Sequence, residues 1–97
     1  MVEKPKVFHN KLENKFYTII GGKECKVEYD MVKDERGNPV LEIYNTFVPE
    51  MLRGQGIAKE IYLEIIKYLD ENKLKVRPTC SYALKFFGVE RYQKYVE

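Results

Sequence analysis

The sequence predicts an α+β (mixed α/β) fold: an antiparallel three-stranded meander, a crossover helix, one parallel strand and C-terminal helices. Three observations lead to this prediction. Segments before residue 49 are rich in β-branched and aromatic residues, which is the composition of pleated strands. From residue 57 apolar side chains recur every three or four positions, the period of a helix. A short strand is predicted at 74–77, and a strand, helix and strand in succession form a right-handed crossover between parallel strands.

The first half of the chain supplies the meander. Residues 15–20 have strand composition, and the two glycines at 21–22 form a two-residue hairpin turn. Residues 23–32 alternate apolar and polar side chains, so one face of this strand is buried. Turn-forming residues at 34–39 then lead back into a third strand over 40–48.

The second half supplies the helices. The crossover helix runs from about residue 57 to near Asn72, and Pro78 ends the strand that follows it. The segment 79–81 has the residue types of a helix N-terminus, and Gly88 is the predicted end of that second helix. Residues 90–96 add a last helical turn or two.

Length and composition indicate one small globular domain over residues 1–97. Hydrophobic residues make up 44% of the chain and charged residues 33%. The net charge of +2 is too small to indicate a nucleic-acid or membrane partner. Residues 1–13 show little periodicity, and we expect a loosely ordered lead-in there, with a short strand at 6–9.

The cysteines and the N-terminal residues bear on location. Cys25 and Cys80 are far apart in sequence and form no metal pair with His9, so we predict two free thiols and no metal site. No run approaches the length of a transmembrane helix, and the first residues lack the apolar region of a signal peptide. A cytoplasmic location is the resulting expectation.

The loop between the third strand and the crossover helix is the strongest candidate site. Gly54 and Gly56 allow a sharp turn and let backbone amides approach a ligand closely. The free amides and the dipole of the helix that follows favour an anion at the same place. The third glycine of the dinucleotide fingerprint and the Gly-Lys-Ser/Thr of the P-loop are both missing. A purely structural tight turn is the alternative reading.

The same loop resembles the acyl-CoA signature of the GCN5-related N-acetyltransferases, Gln/Arg-x-x-Gly-x-Gly/Ala. The matching residues are Arg53, Gly54, Gln55, Gly56, Ile57 and Ala58. With the Pro-Thr-Cys-Ser-Tyr segment at 78–82, the chain is similar to the small single-domain branch of that superfamily over about residues 14–95. The resemblance implies acetyl-CoA as the cofactor. It also implies that residues 53–58 hold the pyrophosphate and that the backbone at Phe47 and Val48 contacts the pantetheine arm.

Cys80 is the candidate catalytic residue. It lies directly before a helix, where amide donors favour a thiolate, and the resemblance places a candidate catalytic cysteine in the same sequence context. The alternative is a small buried residue beside the ligand. Relatives in the small branch often carry His where this chain has Asn45, which cannot titrate.

Two further residues are candidates for contacts with the cofactor. In larger relatives a tyrosine protonates the departing thiolate, and by that resemblance Tyr82 is a candidate for the same role. Lys85, one turn further along the helix, is a candidate contact for a phosphate or for the adenine end of CoA. A packing tyrosine and a solvated lysine are the alternatives.

Three functional hypotheses follow. The leading one is a minimal acetyltransferase that transfers acetyl from acetyl-CoA to a small or protein amine, directly or through Cys80. The second is a module that binds CoA or acetyl-CoA with little or no catalysis, which Asn45 and the short chain favour. The third is a non-enzymatic interaction domain whose glycine loop contacts a phosphorylated or acidic partner. The amine acceptor, the oligomeric state and the pathway are left open by the sequence.

Overall fold

The computed structural model describes residues 4–97, so the first three residues of the predicted lead-in lie outside the described part. Within residues 4–97 the chain forms a five-stranded mixed sheet, two α-helices and two 3-10 turns. The elements are β1 (Phe8–Asn10), β2 (Lys15–Ile20), β3 (Lys23–Lys33), β4 (Pro39–Phe47), α1 (Ile57–Asn72), β5 (Lys75–Pro78) and α2 (Ser81–Phe87), with 3-10 turns at Glu50–Leu52 and Glu90–Tyr95. The predicted mixed fold is confirmed.

The antiparallel part of the sheet contains β1, β2, β3 and β4 in sequence order. It therefore has one strand more than the predicted meander, because β1 pairs with β2 at the sheet edge. The connecting turn depends on Asn10, whose side-chain oxygen accepts hydrogen bonds from the amides of Leu12 and Glu13 at 3.0 and 3.1 Å. Residues 8–10 of the predicted lead-in are thus a paired edge strand.

The predicted hairpin between β2 and β3 is confirmed. Gly21 and Gly22 have φ angles of 57° and 77°, so both lie in the left-handed region. A two-residue loop of this kind matches the twist of the flanking strands. It brings Ile20 opposite Lys23 and sets the register of the whole β2–β3 ladder.

The predicted crossover is also confirmed. β4 and β5 pair in parallel from Val40 opposite Lys75 to Ile43 opposite Pro78. α1 ends where predicted, but the left-handed residue at its C-terminus is Lys73, with φ of 53°. The Lys73 amide donates to the carbonyls of Leu69 and Asp70, which closes the last turn of the helix.

The core lies between the sheet and the two helices, which pack on the same face. Tyr62 of α1 contacts Tyr82 and Phe86 of α2, with ring centroids 4.9 and 4.8 Å apart. The buried side chains come from every element except β1 and the first 3-10 turn. They are Phe16, Cys25, Val27, Tyr29, Leu41, Ile43, Ile57, Ile61, Tyr62, Ile65, Leu69, Val76, Ala83, Phe87 and Tyr95. Removing these apolar surfaces from water stabilises the fold by about 25 cal/mol per Å².

An irregularity in β4 changes which side chains face the helices. Tyr29 lies opposite Ile43, but the preceding residue of β3, Glu28, lies opposite Asn45, so Tyr44 is an extra residue in β4. The bulge puts Thr46 on the helix-covered face and leaves Asn45 on the opposite face. The last residue of β4 paired with β5 is Ile43, so β4 continues past the end of its parallel neighbour to Phe47.

No helix among residues 4–97 has both the length and the apolar character needed to span a membrane.

Candidate functional site

The loop from β4 to α1 is shaped by two left-handed glycines. Gly54 and Gly56 have φ angles of 80° and 77°, a conformation that other residues rarely adopt. A Cβ atom at either position would meet no atom within 4 Å. The positive φ, rather than crowding, therefore requires glycine, and the space over both residues is open. The preceding 3-10 turn is closed by the Leu52 amide, which donates to the Pro49 carbonyl at 2.8 Å.

The N-terminus of α1 presents backbone donors to this open space. Gly56 is the N-cap residue and has no side chain that could accept a hydrogen bond from the first turn. The first amides of a helix have no carbonyl partner within the helix, and the aligned peptide dipoles add partial positive charge there. α1 has 16 residues, so its dipole is fully developed.

A cavity of about 440 Å³ lies beside this loop. It is lined by Thr46, Val48, Leu52, Arg53, Gly54, Gly56, Ile57, Ala58 and Tyr82. Its walls therefore come from the end of β4, the glycine loop, the first turn of α1 and the start of α2. Most residues that the sequence predicted to hold a cofactor meet in this one cavity.

Three of the predicted contact residues lie elsewhere. Gln55 lines a second cavity, of about 470 Å³, on the other side of the loop, together with Lys4 and Lys59. The side chain of Phe47 is 44% exposed at the end of β4 and lies outside the lining of the first cavity. Lys85 is exposed on α2 and also lies outside that lining.

Arg53 ties the loop to the strand before it. Its Nε donates to the Val48 carbonyl at 2.9 Å. The bond bridges the start and middle of the loop and keeps the guanidinium group at the cavity wall. The terminal nitrogens of a guanidinium are additional donors that suit phosphate oxygens.

Cys80 lies behind the cavity wall at the N-cap of α2. Its sulfur accepts a hydrogen bond from the Ala83 amide at 3.4 Å. Two hydroxyl groups are also close: Thr46 Oγ1 is 3.4 Å and the Tyr62 hydroxyl 3.9 Å from the sulfur. These hydroxyls hydrogen-bond each other at 2.7 Å. The sulfur is therefore surrounded by three polar groups from three elements.

Tyr62 is the buried member of this group. Its side chain is fully buried, and burial raises the pKa of its hydroxyl far above the usual value, although the Thr46 hydrogen bond acts in the opposite direction. Tyr82 lies against Tyr62, and burial raises its pKa as well. Both phenols are therefore protonated at neutral pH.

Sequence reasoning missed Thr46 and Tyr62 as site residues. Thr46 fits the composition of the strand predicted at 40–48, and Tyr62 fits the apolar face of the helix predicted from 57, so neither pattern marks a site residue. A signal was present for Tyr62, because a buried tyrosine hydroxyl almost always has a polar partner. Thr46 carried no such signal, because its orientation depends on the bulge at Tyr44.

Asn45 and His9 lie away from the sulfur. Asn45 donates from Nδ2 to the Glu28 carboxylate at 2.8 Å, on the sheet face opposite to Thr46. His9, the only histidine of the chain, stacks on Phe16 with ring centroids 3.8 Å apart and contacts the Tyr29 hydroxyl. It belongs to β1, at the sheet edge opposite to β5. In residues 4–97 no three His, Cys, Asp or Glu side chains are arranged to hold a metal ion.

Comparison with known proteins finds relatives in sequence and in fold. Protein NATD1 from Danio rerio is 28% identical over 92 residues, covering 95% of this chain and 82% of the relative. Protein NATD1 from Homo sapiens is 26% identical over 92 residues, covering 95% of this chain and 80% of the relative. A GCN5-like protein from Staphylococcus aureus, solved by NMR, superposes with a TM-score of 0.73 at 25% identity, over 99% of this chain and 91% of that one.

The sequence pattern of the GCN5-related N-acetyl-transferases matches residues 15–97, which is most of the chain. The chain belongs to the GCN5-related N-acetyltransferase family.

Proposed function

We propose that this protein binds acetyl-CoA in the cavity beside the glycine loop and transfers the acetyl group to an amine. The cavity of about 440 Å³ carries the proposal, because it joins the glycine loop, the free end of β4 and the start of α2. Family membership supports the acetyltransferase class. The acceptor is a primary amine of a small molecule or of a protein.

The residues of the loop fit a diphosphate group. The amides that follow Gly54 and Gly56 and the uncapped first turn of α1 are donors in an open, electropositive place. Arg53 adds a guanidinium group at the same wall. Gln55, Ile57 and Ala58 belong to the same six-residue motif, and Ile57 and Ala58 contribute to the wall directly.

The end of β4 fits an extended polar chain. Residues 45–47 of β4 lie past the last pair with β5 and pair with β3 on their other side. The backbone at Phe47 and Val48 is therefore positioned to contact the pantetheine arm, as an additional strand would. Bound acetyl-CoA would supply an activated thioester there, and Tyr82 and Lys85 are the proposed contacts from α2.

Cys80 is the proposed catalytic residue. Its sulfur is next to Thr46, which lines the cavity, so only one side chain lies between the thiol and the proposed ligand. In the route through Cys80, the sulfur would lose its proton and take the acetyl group from acetyl-CoA, releasing CoA as the thiol. The amine would then take the acetyl group from the sulfur and lose a proton, which restores the Cys80 thiol. In direct transfer, the amine would attack acetyl-CoA itself and release CoA in one step.

A CoA-binding module with little catalysis is the second candidate. Two observations favour it. The sole histidine is held in the aromatic contacts of β1, and Asn45, which cannot titrate, occupies the sheet face away from Cys80. A general base for the amine proton would then have to be a carboxylate or the thiolate itself.

Calorimetric titration with acetyl-CoA and with CoA, followed by intact mass of the same samples, tests the proposal. Saturable binding with a gain of one acetyl group, absent in Cys80→Ala, supports the route through the cysteine. Binding without a mass gain calls for a screen of amine acceptors, in which turnover indicates direct transfer and its absence indicates the binding module. If neither ligand binds, the cofactor proposal is wrong and the loop becomes a candidate contact for an acidic partner.

A further inference from the structure

We propose that Thr46 and Tyr62 are positioning residues that hold the Cys80 sulfur at the cavity wall and stabilise its thiolate form. The inference rests on the role proposed above for Cys80. It concerns two residues that lie outside the acyl-CoA signature and outside the Pro-Thr-Cys-Ser-Tyr segment. Both side chains act through the Cys80 sulfur and take no part in the acetyl transfer themselves.

The Thr46 and Tyr62 hydroxyls leave one proton for the sulfur. They hydrogen-bond each other at 2.7 Å, and either hydroxyl can be the donor. If Tyr62 donates, the Thr46 proton is free to point at Cys80 Sγ, 3.4 Å away. If Thr46 donates, the Tyr62 proton is free to point at the same sulfur, 3.9 Å away.

In both orders the sulfur is the end of a donor chain. The Ala83 amide donates to Sγ at 3.4 Å, and one of the two hydroxyls, that of Thr46 or that of Tyr62, is the second donor. A thiol sulfur is a weak acceptor, whereas a thiolate is a strong one. An arrangement of donors around sulfur thus stabilises the ionised form more than the neutral form. α2 has only seven residues, so its dipole adds little and the side-chain donors matter more.

The position of Thr46 links the donor chain to the cavity. Thr46 lines the cavity and contacts the sulfur behind it, so it lies at the boundary between the two. The bulge at Tyr44 is what turns Thr46 toward this face. The titratable side chains that face the cluster are Tyr62 from α1 and Tyr82 from α2, both kept neutral by burial. The pH dependence of Cys80 alkylation near neutral pH therefore reports the ionisation of the Cys80 thiol and not that of a neighbouring group.

The test measures alkylation of Cys80 by iodoacetamide against pH, in ligand-free protein, with the modified peptide identified by mass spectrometry. Cys25 is fully buried and serves as the internal unreactive thiol. Thr46→Val keeps the shape but loses the hydroxyl, Thr46→Ser keeps the hydroxyl, and Tyr62→Phe keeps the ring. Tyr68→Phe is the matched control, because Tyr68 lies on α1 but contacts the His9 and Phe16 rings.

We expect Thr46→Val and Tyr62→Phe to raise the midpoint of the alkylation profile by about one pH unit, since hydrogen bonds to charged groups have this order of strength. The alkylation rate near pH 7.5 should then be about tenfold lower than in the wild-type protein. Thr46→Ser should restore the wild-type profile, and Tyr68→Phe should leave it unchanged. A purely structural role would change thermal stability without moving the midpoint. Wild-type midpoints in both Thr46→Val and Tyr62→Phe would overturn the proposal.

Two features keep the test decisive. If Tyr62→Phe fails to fold, the Thr46→Val and Thr46→Ser pair still decides, because valine and threonine are nearly the same size. The assay contains no cofactor, so its failure is separate from failure of the function proposed above. A normal alkylation shift in a protein that does not bind acetyl-CoA would uphold the donor chain and reject the cofactor.

Discussion

Gly56 combines two properties at a single residue. It has a φ angle of 77°, which only glycine adopts readily, and as the N-cap of α1 it leaves the first-turn amides uncovered. A side chain at this position would both strain the backbone and project over the proposed phosphate site. A substitution at Gly37, in the turn between β3 and β4, separates these two effects. Gly37 has a φ angle of 84° and equally open surroundings, so a side chain there strains the backbone without lying near the proposed phosphate site.

We expect Gly56→Val to weaken CoA binding at least tenfold and to lower the free energy of unfolding by about 1–3 kcal/mol, the cost of a strained backbone residue. Gly37→Val should cause a similar loss of stability but leave CoA binding unchanged. Calorimetric titration and chemical denaturation of the two variants measure both quantities. Equal loss of binding in both variants, or in neither, would contradict a ligand site at the loop.

The site was predictable where a residue type carries its own chemistry. The glycines, Arg53 and Cys80 could be identified because positive φ, charge and a thiol are properties of single residues. Thr46 and Tyr62 could not be identified as a pair, because their contact is set by packing between β4 and α1. Residue chemistry is visible in one sequence, whereas the contacts that tune it depend on tertiary structure.

At the scale of elements, a short strand was predicted at 6–9 and β1 lies at 8–10, but its pairing with β2 depends on packing that local sequence does not show. It has three residues, too few for a periodic pattern, and its turn uses Asn10 in place of glycine or proline. The long hairpin and α1 were predictable because their alternating and helical patterns extend over many residues. The bulge in β4 was not, because no residue type at Tyr44 requires it.

His9 attaches β1 to the core and makes this strand sensitive to acid. Burial, and secondarily the charge of Lys11, lowers the pKa of His9 below its usual value of 6.5. The folded state thus favours neutral His9, so its contribution to stability is present above about pH 6.5 and is lost as the pH falls through the lowered folded-state pKa.

We expect wild-type protein to lose thermal stability between pH 7.5 and 5.5, and His9→Gln to lose less over the same interval. The lowered pKa values of Asp34 and Glu97 act at more acidic pH, so this window isolates the histidine. Thermal unfolding monitored by circular dichroism at several pH values is the measurement. Parallel losses in wild type and His9→Gln would rule out His9 as the source.

For the whole molecule, the small size means that the proposed ligand would add a large fraction to the stability of the fold. A domain of 97 residues buries a smaller fraction of its surface than a larger one, and typical domains are stable by only about 5–15 kcal/mol. A ligand that binds only the folded state at 100 times its dissociation constant adds about 2.7 kcal/mol. In a chain of this size, that corresponds to a rise in unfolding temperature of roughly 10–20 °C.

We therefore expect acetyl-CoA and CoA to raise the unfolding temperature of wild-type protein by roughly that amount, and of Gly37→Val by the same increment from a lower starting point. Gly56→Val should show little or no increment, because its cavity can no longer hold the ligand. Cys80→Ala should keep the full increment with CoA, since the sulfur lies behind the cavity wall and Thr46 forms the lining. Thermal scans at increasing ligand concentration test all four proteins together. If Cys80→Ala lost the increment with CoA, the Cys80 side chain would be needed to hold the cofactor, and a role limited to accepting the acetyl group would be wrong.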